Sequence, residues 1–219
     1  WPPGAFALLA AGSLAGHLLE CGAQATGGLY TDWEQVPDWA NIGYPYVEVS
    51  ADGSFVLCKP PGTGGLLTPD TVAEQVLYEV GDPAAYVLPD VVCDFSHVQL
   101  AQDGPHRVKV SGARGLPPPA GYKGCATLQP GYRCGVQLSV FGEDAVRKAR
   151  RTGEALLERV RGMVAATGLA DFDKTSVNVL GAEDTYGPHA LAGSALREAV
   201  LRLAATHARA EPLAMLSRE

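Results

Sequence analysis

Asp52-Gly53, set between two short runs of alternating apolar residues, constrains the fold of this chain more than any other pair. The dipeptide favours a tight turn with positive φ, and Val47 and Val49 before it match Phe55 and Leu57 after it. The spacing predicts a hairpin of residues 46–50 with 54–58. Two more hairpins are predicted: 97–101 with 108–111 across 102–106, and 122–128 with 132–140 across Gln129-Pro130-Gly131. A stiff proline run at 116–119 lies between them. Thr68 predicts a helix cap, with Pro69 at the first helical position, Asp70 in the first turn and Gly81-Asp82-Pro83 at the end. Val72, Val76 and residues 78–80 face inward in that helix. Val146, Ala149, Leu156, Val160 and Met163 predict a long helix over 143–166. A strand at 176–180 and a last helix from about 189 to 208 complete the reading. Hairpins interleaved with helices predict an α/β or α+β fold, a mixed sheet layered with helices. All three hairpins and the long helix are expected to share one core. No repeat or low-complexity linker interrupts the chain, so residues 1–219 are read as a single domain.

Residues 8–28 carry a second pattern. Ser13, His17, Glu20 and Gln24 fall at i, i+4, i+7 and i+11, one narrow polar file on a helix otherwise made of leucine, alanine and glycine. Gly12 and Gly16 each weaken an exposed helix by roughly 1 kcal/mol. The file reads in two ways: a buried helix whose polar groups are satisfied by neighbours, or a helix that presents His17 and Glu20 to a pocket. The aromatic stretch that follows, with Tyr30, Trp33, Trp39 and Tyr44, suits a packed lid or a subunit contact.

Composition narrows the partners. The 219 residues are 47% hydrophobic and 19% charged, which suits a globular core. A net charge of −7 without a cluster of basic and aromatic residues argues against nucleic acid and anionic membranes. No run of eighteen apolar residues and no leader are present, so a soluble protein is expected. Five cysteines, an odd number without C-x-x-C spacing, fit free thiols in a reducing cytoplasm. The chain begins Trp-Pro-Pro and stops in a helix-like run, so it is expected to be a piece of a longer protein.

Four stretches hold groups that chemistry uses. Lys59-Pro-Pro-Gly-Thr-Gly-Gly65 joins a strand to a helix and places Gly62, Thr63, Gly64 and Gly65 where backbone N–H groups favour an anion, or where a tight turn needs glycine. It lacks the Gly-Lys-Ser/Thr of a phosphate-binding P-loop. Asp82, Asp90 and Asp94 fit a hard-cation site or, more cheaply, turn chemistry. Arg114 and Lys123 suit an acidic substrate or loop anchoring. Glu20 beside leucines suits proton transfer or a satisfied core carboxyl. Cys21 sits at a helix C-terminus, the wrong end to stabilise a thiolate.

The stretches AGSLAGHLLECGAQATGGLYTDW, IGYPYVEVSADGSFVLCKPPGTGGLLTPDTVAEQVLYEVGDPAAYVLPDVVCDFS and VKVSGARGLPPPAGYK resemble the acyclic terpene utilisation AtuA family. The resemblance runs from about Ala10 to Arg161. It implies a bacterial cytoplasmic protein encoded with enzymes that degrade citronellol- and geraniol-type terpenes as acyl-CoA thioesters. It also implies a stretch before residue 1 and, in many members, a small ferredoxin-like domain after residue 219. Characteristic positions of the family map onto Glu20, Cys21, Gly27, Gly28, Asp32, Lys59, Gly62, Thr63, Gly64, Gly65, Asp94 and Arg114.

Two functions follow as expectations. One is an enzyme of a hydratase or lyase type on a branched acyl-CoA. Glu20 and His17 would be its catalytic pair, and Lys59, Gly62, Thr63, Gly64, Gly65, Asp32, Asp94 and Arg114 would contact substrate. No metal and no cofactor beyond the CoA thioester substrate are expected, and a homo-oligomer is left open. The other is a non-catalytic binding or assembly module of the same pathway.

Overall fold

The computed structural model describes residues 3–121, 124–191 and 196–219. They form two compact units, residues 1–125 and 126–219, each with its own hydrophobic core. The fold is α+β, and the strand ladders among the described residues are antiparallel. A single bridge, Ile42 to Gly64, is parallel.

The first unit opens with helix α1 (Phe6–Glu20), followed by β1 (Tyr46–Val49) and β2 (Phe55–Cys58). These two strands form the expected hairpin, with Val49 opposite Phe55 and Tyr46 opposite Cys58. Asp52 Oδ1 accepts the Ser54 N–H at 3.0 Å, which holds the turn. Helix α2 (Pro69–Leu77) starts at the predicted cap. Thr68 and Thr71 exchange side-chain-to-backbone hydrogen bonds, which satisfies two N–H groups a helix start leaves open. The helix stops before Tyr78, which is exposed and not inward as its apolar ring suggested. Strands β3 (Tyr86–Val87), β4 (Val92–Asp94) and β7 (Arg114–Leu116) make a small sheet. The 97–111 hairpin appears as β5 (Gln99–Gln102) and β6 (Arg107–Ser111), and β1-β2-β6-β5 is the four-stranded sheet. Leu14, Leu18, Leu57, Leu67, Val72 and Val108 close this core.

The second unit pairs β8 (Tyr132–Phe141) and β9 (Lys174–Leu180) on either side of β10 (Glu198–His207). Helix α3 (Ala145–Ala166) covers one face, and the short α4 (Glu211–Leu216) adds Leu213 and Leu216 to the same core. The inward stripe of α3 is Ala145, Ala149, Gly153, Leu157, Val160 and Val164, rotated from the expected one.

Three sequence expectations give way here. The third hairpin does not form: β8 pairs with β10, and residues 124–128 carry no strand, while Tyr122 and Lys123 lie outside the described residues. Residues 198–207 of the last predicted helix are strand β10, while its residues 192–195 lie outside the described residues. Its Glu-Ala-Val-Leu-Arg-Leu-Ala-Ala is rich in helix formers, yet Ala199, Leu201, Leu203 and Ala205 alternate and bury under α3. Burial on a two-residue period outweighs a propensity difference of a few tenths of a kcal/mol per residue. Helix α3 serves the core of its own sheet, not that of the Asp52-Gly53 hairpin.

In the second unit the Arg150 guanidinium donates to Asp184 Oδ1 at 2.8 Å, and the Val179 N–H donates to Oδ2 at 2.7 Å. The arginine first, then the amide, holds the Asp184 carboxyl below its ordinary pKa. With a folded pKa below the unfolded value of about 3.9, this stabilisation is complete above that value and is lost as pH falls through the folded one. Asp184→Asn is therefore expected to cost stability by a constant amount above about pH 5 and by a shrinking amount below pH 4. Urea midpoints of both proteins from pH 3 to 6 measure the gap, and a gap independent of pH would disprove the assignment.

Among the described residues no helix is long and apolar enough to cross a membrane.

Candidate functional site

Of the polar file on helix α1, only His17 is turned into the core. His17 is buried with Ala10, Leu14 and Leu18, whereas Gly12, Gly16 and Glu20 are exposed. The Nε2 of His17 lies 2.8 Å from the carbonyl oxygen of Gln75 on α2. In return, Gln75 Nε2 donates to the His17 carbonyl at 3.0 Å. A carbonyl only accepts, so His17 carries a hydrogen on Nε2. Its Nδ1 is 2.9 Å from Glu20 Oε1. That contact needs one proton: either an imidazolium donates to a carboxylate, or a carboxylic acid donates to a neutral ring. The pair therefore joins a buried ring to a side chain that is 52% exposed. The geometry resembles what general acid–base catalysis uses: a titratable group reachable from solvent, oriented by a fixed partner.

One of the two sequence readings has α1 present Glu20 to a pocket. Its carboxylate is instead half exposed at the end of α1. Neither Glu20 nor residues 59–65 line the cavities of about 380 and 460 Å³ in this unit.

The loop itself is held by backbone. The N–H of Gly64 donates to Asn41 at 2.9 Å, that of Gly65 to Pro37 at 2.8 Å, and that of Leu66 to Thr26 at 2.9 Å. Gly64 and Gly65 are buried, and a Cβ on Gly64 would stand 2.1 Å from the Asp38 carbonyl oxygen. These donors are thus spent on the protein and not offered to an anion. Gly62 differs: it is exposed, and nothing lies within 4 Å of its missing side chain. Lys59 is buried, and its Nζ donates to the Thr63 carbonyl at 2.6 Å. Burial pushes the ammonium below its ordinary pKa, because no carboxylate among the described residues pairs with it. The Thr63 hydroxyl donates to the Pro60 carbonyl at 2.7 Å, so the loop is closed on itself.

Asp94 and Arg114 come together as cross-strand partners on β4 and β7. The Ser96 hydroxyl and N–H hydrogen-bond to Asp94 and hold its carboxyl below the ordinary range. Arg114 lines an open polar cleft of about 460 Å³ with Ser96, His97 and Gln99. Asp32 is exposed and accepts from Gln35 at 3.4 Å, away from these groups in its own shallow recess. Asp82 Oδ1 accepts the Ala84 N–H at 2.9 Å, which is turn chemistry, and Asp90 is exposed. Lys123 lies outside the described residues.

Two features escaped the sequence reading. Gln75, fully buried beside Val72 and Val76, anchors His17, and its Oε1 has no partner among the described residues. A polar residue on the inward face of an apolar helix was the available signal. The other is a trough beside α1, lined by Gly12, Gly16 and Leu19 among others. The exposed glycines were its only trace.

A family model described as acyclic terpene utilisation family protein AtuA matches residues 1–219. Comparison with curated proteins and with solved structures gives no match.

Proposed function

We propose a function from one premise: the chain belongs to the acyclic terpene utilisation AtuA family, matched over its whole length. On that footing the protein is an enzyme of acyclic terpene breakdown that acts on a branched acyl-CoA by a hydratase- or lyase-type step. The observation that carries this reading is the hydrogen-bonded His17–Glu20 pair, a buried ring against a solvent-facing carboxyl. In hydration, Glu20 takes a proton from water, the hydroxyl bonds to the β-carbon of the unsaturated thioester as the C=C π bond breaks, and Glu20 returns that proton to the α-carbon. His17 holds Glu20 in place and balances its charge as the proton moves; Gln75 keeps the ring oriented. The reaction needs no oxidant or reductant. Lys59, Thr63, Gly64 and Gly65 support the scaffold in this scheme, while Gly62 and Arg114 remain open to an anionic part of the substrate.

A second reading has its own support. Trp33, Trp39 and Tyr44 are 56%, 53% and 68% exposed, an aromatic surface of the kind that docks a partner subunit. A ligand-shift melt of the full-length protein separates the two. A branched ten-carbon acyl-CoA at a hundred times its dissociation constant is expected to stabilise an enzyme by about 2.7 kcal/mol, visible as a rise of several degrees. Free CoA should give a smaller shift. An assembly module should respond to neither.

A further inference from the structure

The exposed face of α1 is built from small, uncharged residues, not the lysines and glutamates that cover an ordinary solvated helix. Ala7, Gly12 and Gly16 are exposed along it, and Glu20 is the only carboxylate on the helix. Between this face and the β1–β2 hairpin runs a trough of about 380 Å³. Leu8, Gly12, Gly16 and Leu19 line one wall, and Val49 and Phe55 stand on the other. No ionisable side chain lines it. The turn closes one side, since a Cβ on Gly53 would stand 3.0 Å from Leu8 Cδ2 and 3.2 Å from Ala11 Cβ. Val49 leaves 63% of its surface open. Glycine is the poorest helix former after proline, yet nothing lies within 4 Å of the missing Gly16 side chain. No internal contact of the described residues requires that glycine; what it keeps is empty space. Glu20 stands one turn beyond Gly16 on the same face, about 6 Å along the axis.

We infer that this trough binds the hydrocarbon chain of an acyclic isoprenoid acyl group, with the acyl end at the Glu20 end of α1. The inference rests on the reading that the substrate is a branched acyl derivative. An uncharged wall suits a chain with no polar atom along its length, which loses no hydrogen bonds on leaving water. Size points the same way. A cavity of about 150 Å³ holds a six-carbon ring, so ten carbons ask for roughly 250 Å³ and twenty for roughly 500 Å³. The trough, at about 380 Å³, has room for the first. Acyclic terpenes, which the family description names, have chains of this kind.

The test titrates the full-length protein with free CoA, 3-methylcrotonyl-CoA (five acyl carbons) and geranoyl-CoA (ten), by calorimetry. Burial is worth about fourfold in affinity per methylene, so the ten-carbon thioester should bind at least tenfold tighter than the five-carbon one. Gly16→Leu places a better helix former in open space and is expected to keep or raise Tm. It should weaken geranoyl-CoA at least tenfold and change 3-methylcrotonyl-CoA less than twofold. Equal weakening of both thioesters, no weakening, or no chain-length preference in the unaltered protein overturns the trough. Glu20→Gln separates this outcome from the proposed reaction, because it should leave the chain-length preference intact. Turnover retained in Glu20→Gln defeats the reaction and leaves the trough standing. Lost turnover there with unchanged geranoyl-CoA affinity in Gly16→Leu does the reverse. If sedimentation shows self-association that Gly16→Leu abolishes, with ligand affinities unmoved, a second copy occupies the face and the proposal fails.

Discussion

Gly64→Val is expected to destabilise the first unit by about 3 kcal/mol or more, enough to lower soluble expression sharply. The cause is space and not backbone conformation. A Cβ at this position would sit 2.1 Å from the Asp38 carbonyl oxygen and 2.8 Å from the Asp38 Cβ. Neither neighbour can swing away, because Gly65 N–H is bonded to Pro37, Gly64 N–H to Asn41, and Gly64 O receives the Gly43 N–H at 3.3 Å. Gly64→Ala already meets the same carbonyl and should lose most of that stability. Gly62→Ala is the control. Its φ of +73° disfavours a side chain, but nothing obstructs the Cβ, so its cost should stay near 1–2 kcal/mol. Chemical denaturation of the three variants ranks them. Equal, small effects at Gly62 and Gly64 would show that the loop tolerates side chains and is not locked to the 37–43 segment.

Glu20→Gln is expected to lower turnover of a branched acyl-CoA by about 10²–10⁴-fold while leaving the fold intact. The amide keeps the shape and can still hydrogen-bond His17 Nδ1, but it cannot carry the proton. Because the side chain is half exposed, the change in stability should stay within about 0.5 kcal/mol. His17→Gln would be a poorer test, since it also removes the tie to the Gln75 carbonyl that joins α1 to α2. The pairing of the two measurements decides the matter. Unchanged turnover with an unchanged melting temperature returns Glu20 to the role of a helix-end carboxyl that orients a buried histidine. A large loss of stability would mean that the pair is structural.

Local chemistry was legible wherever neighbours in sequence decide it. Asp52-Gly53 makes its turn, Thr68-Pro69 starts its helix, and Asp82 caps its own turn, because each uses hydrogen bonds within a few residues. His17 and Glu20 meet for the same reason, since residues three apart on a helix are neighbours. The candidate site was half legible. The glycine loop was read as an anion site or a tight turn, and only the approach of residues 37–43 shows that the Gly64 and Gly65 N–H groups are taken.

The amino-acid sequence by itself determined the helix–hairpin pattern of the first unit, the cap of α2 and the His17–Glu20 contact, all interactions of short range along the chain. Tertiary structure alone decided three things. It turned residues 198–207 into the central strand of the second sheet, because α3 buries one residue in two there. It assigned Gln75, fifty-eight positions away, as the partner that orients His17. And it set α1 so that Gly12 and Gly16 face an open trough while His17 faces the core; which side of a helix is buried depends on what packs against it.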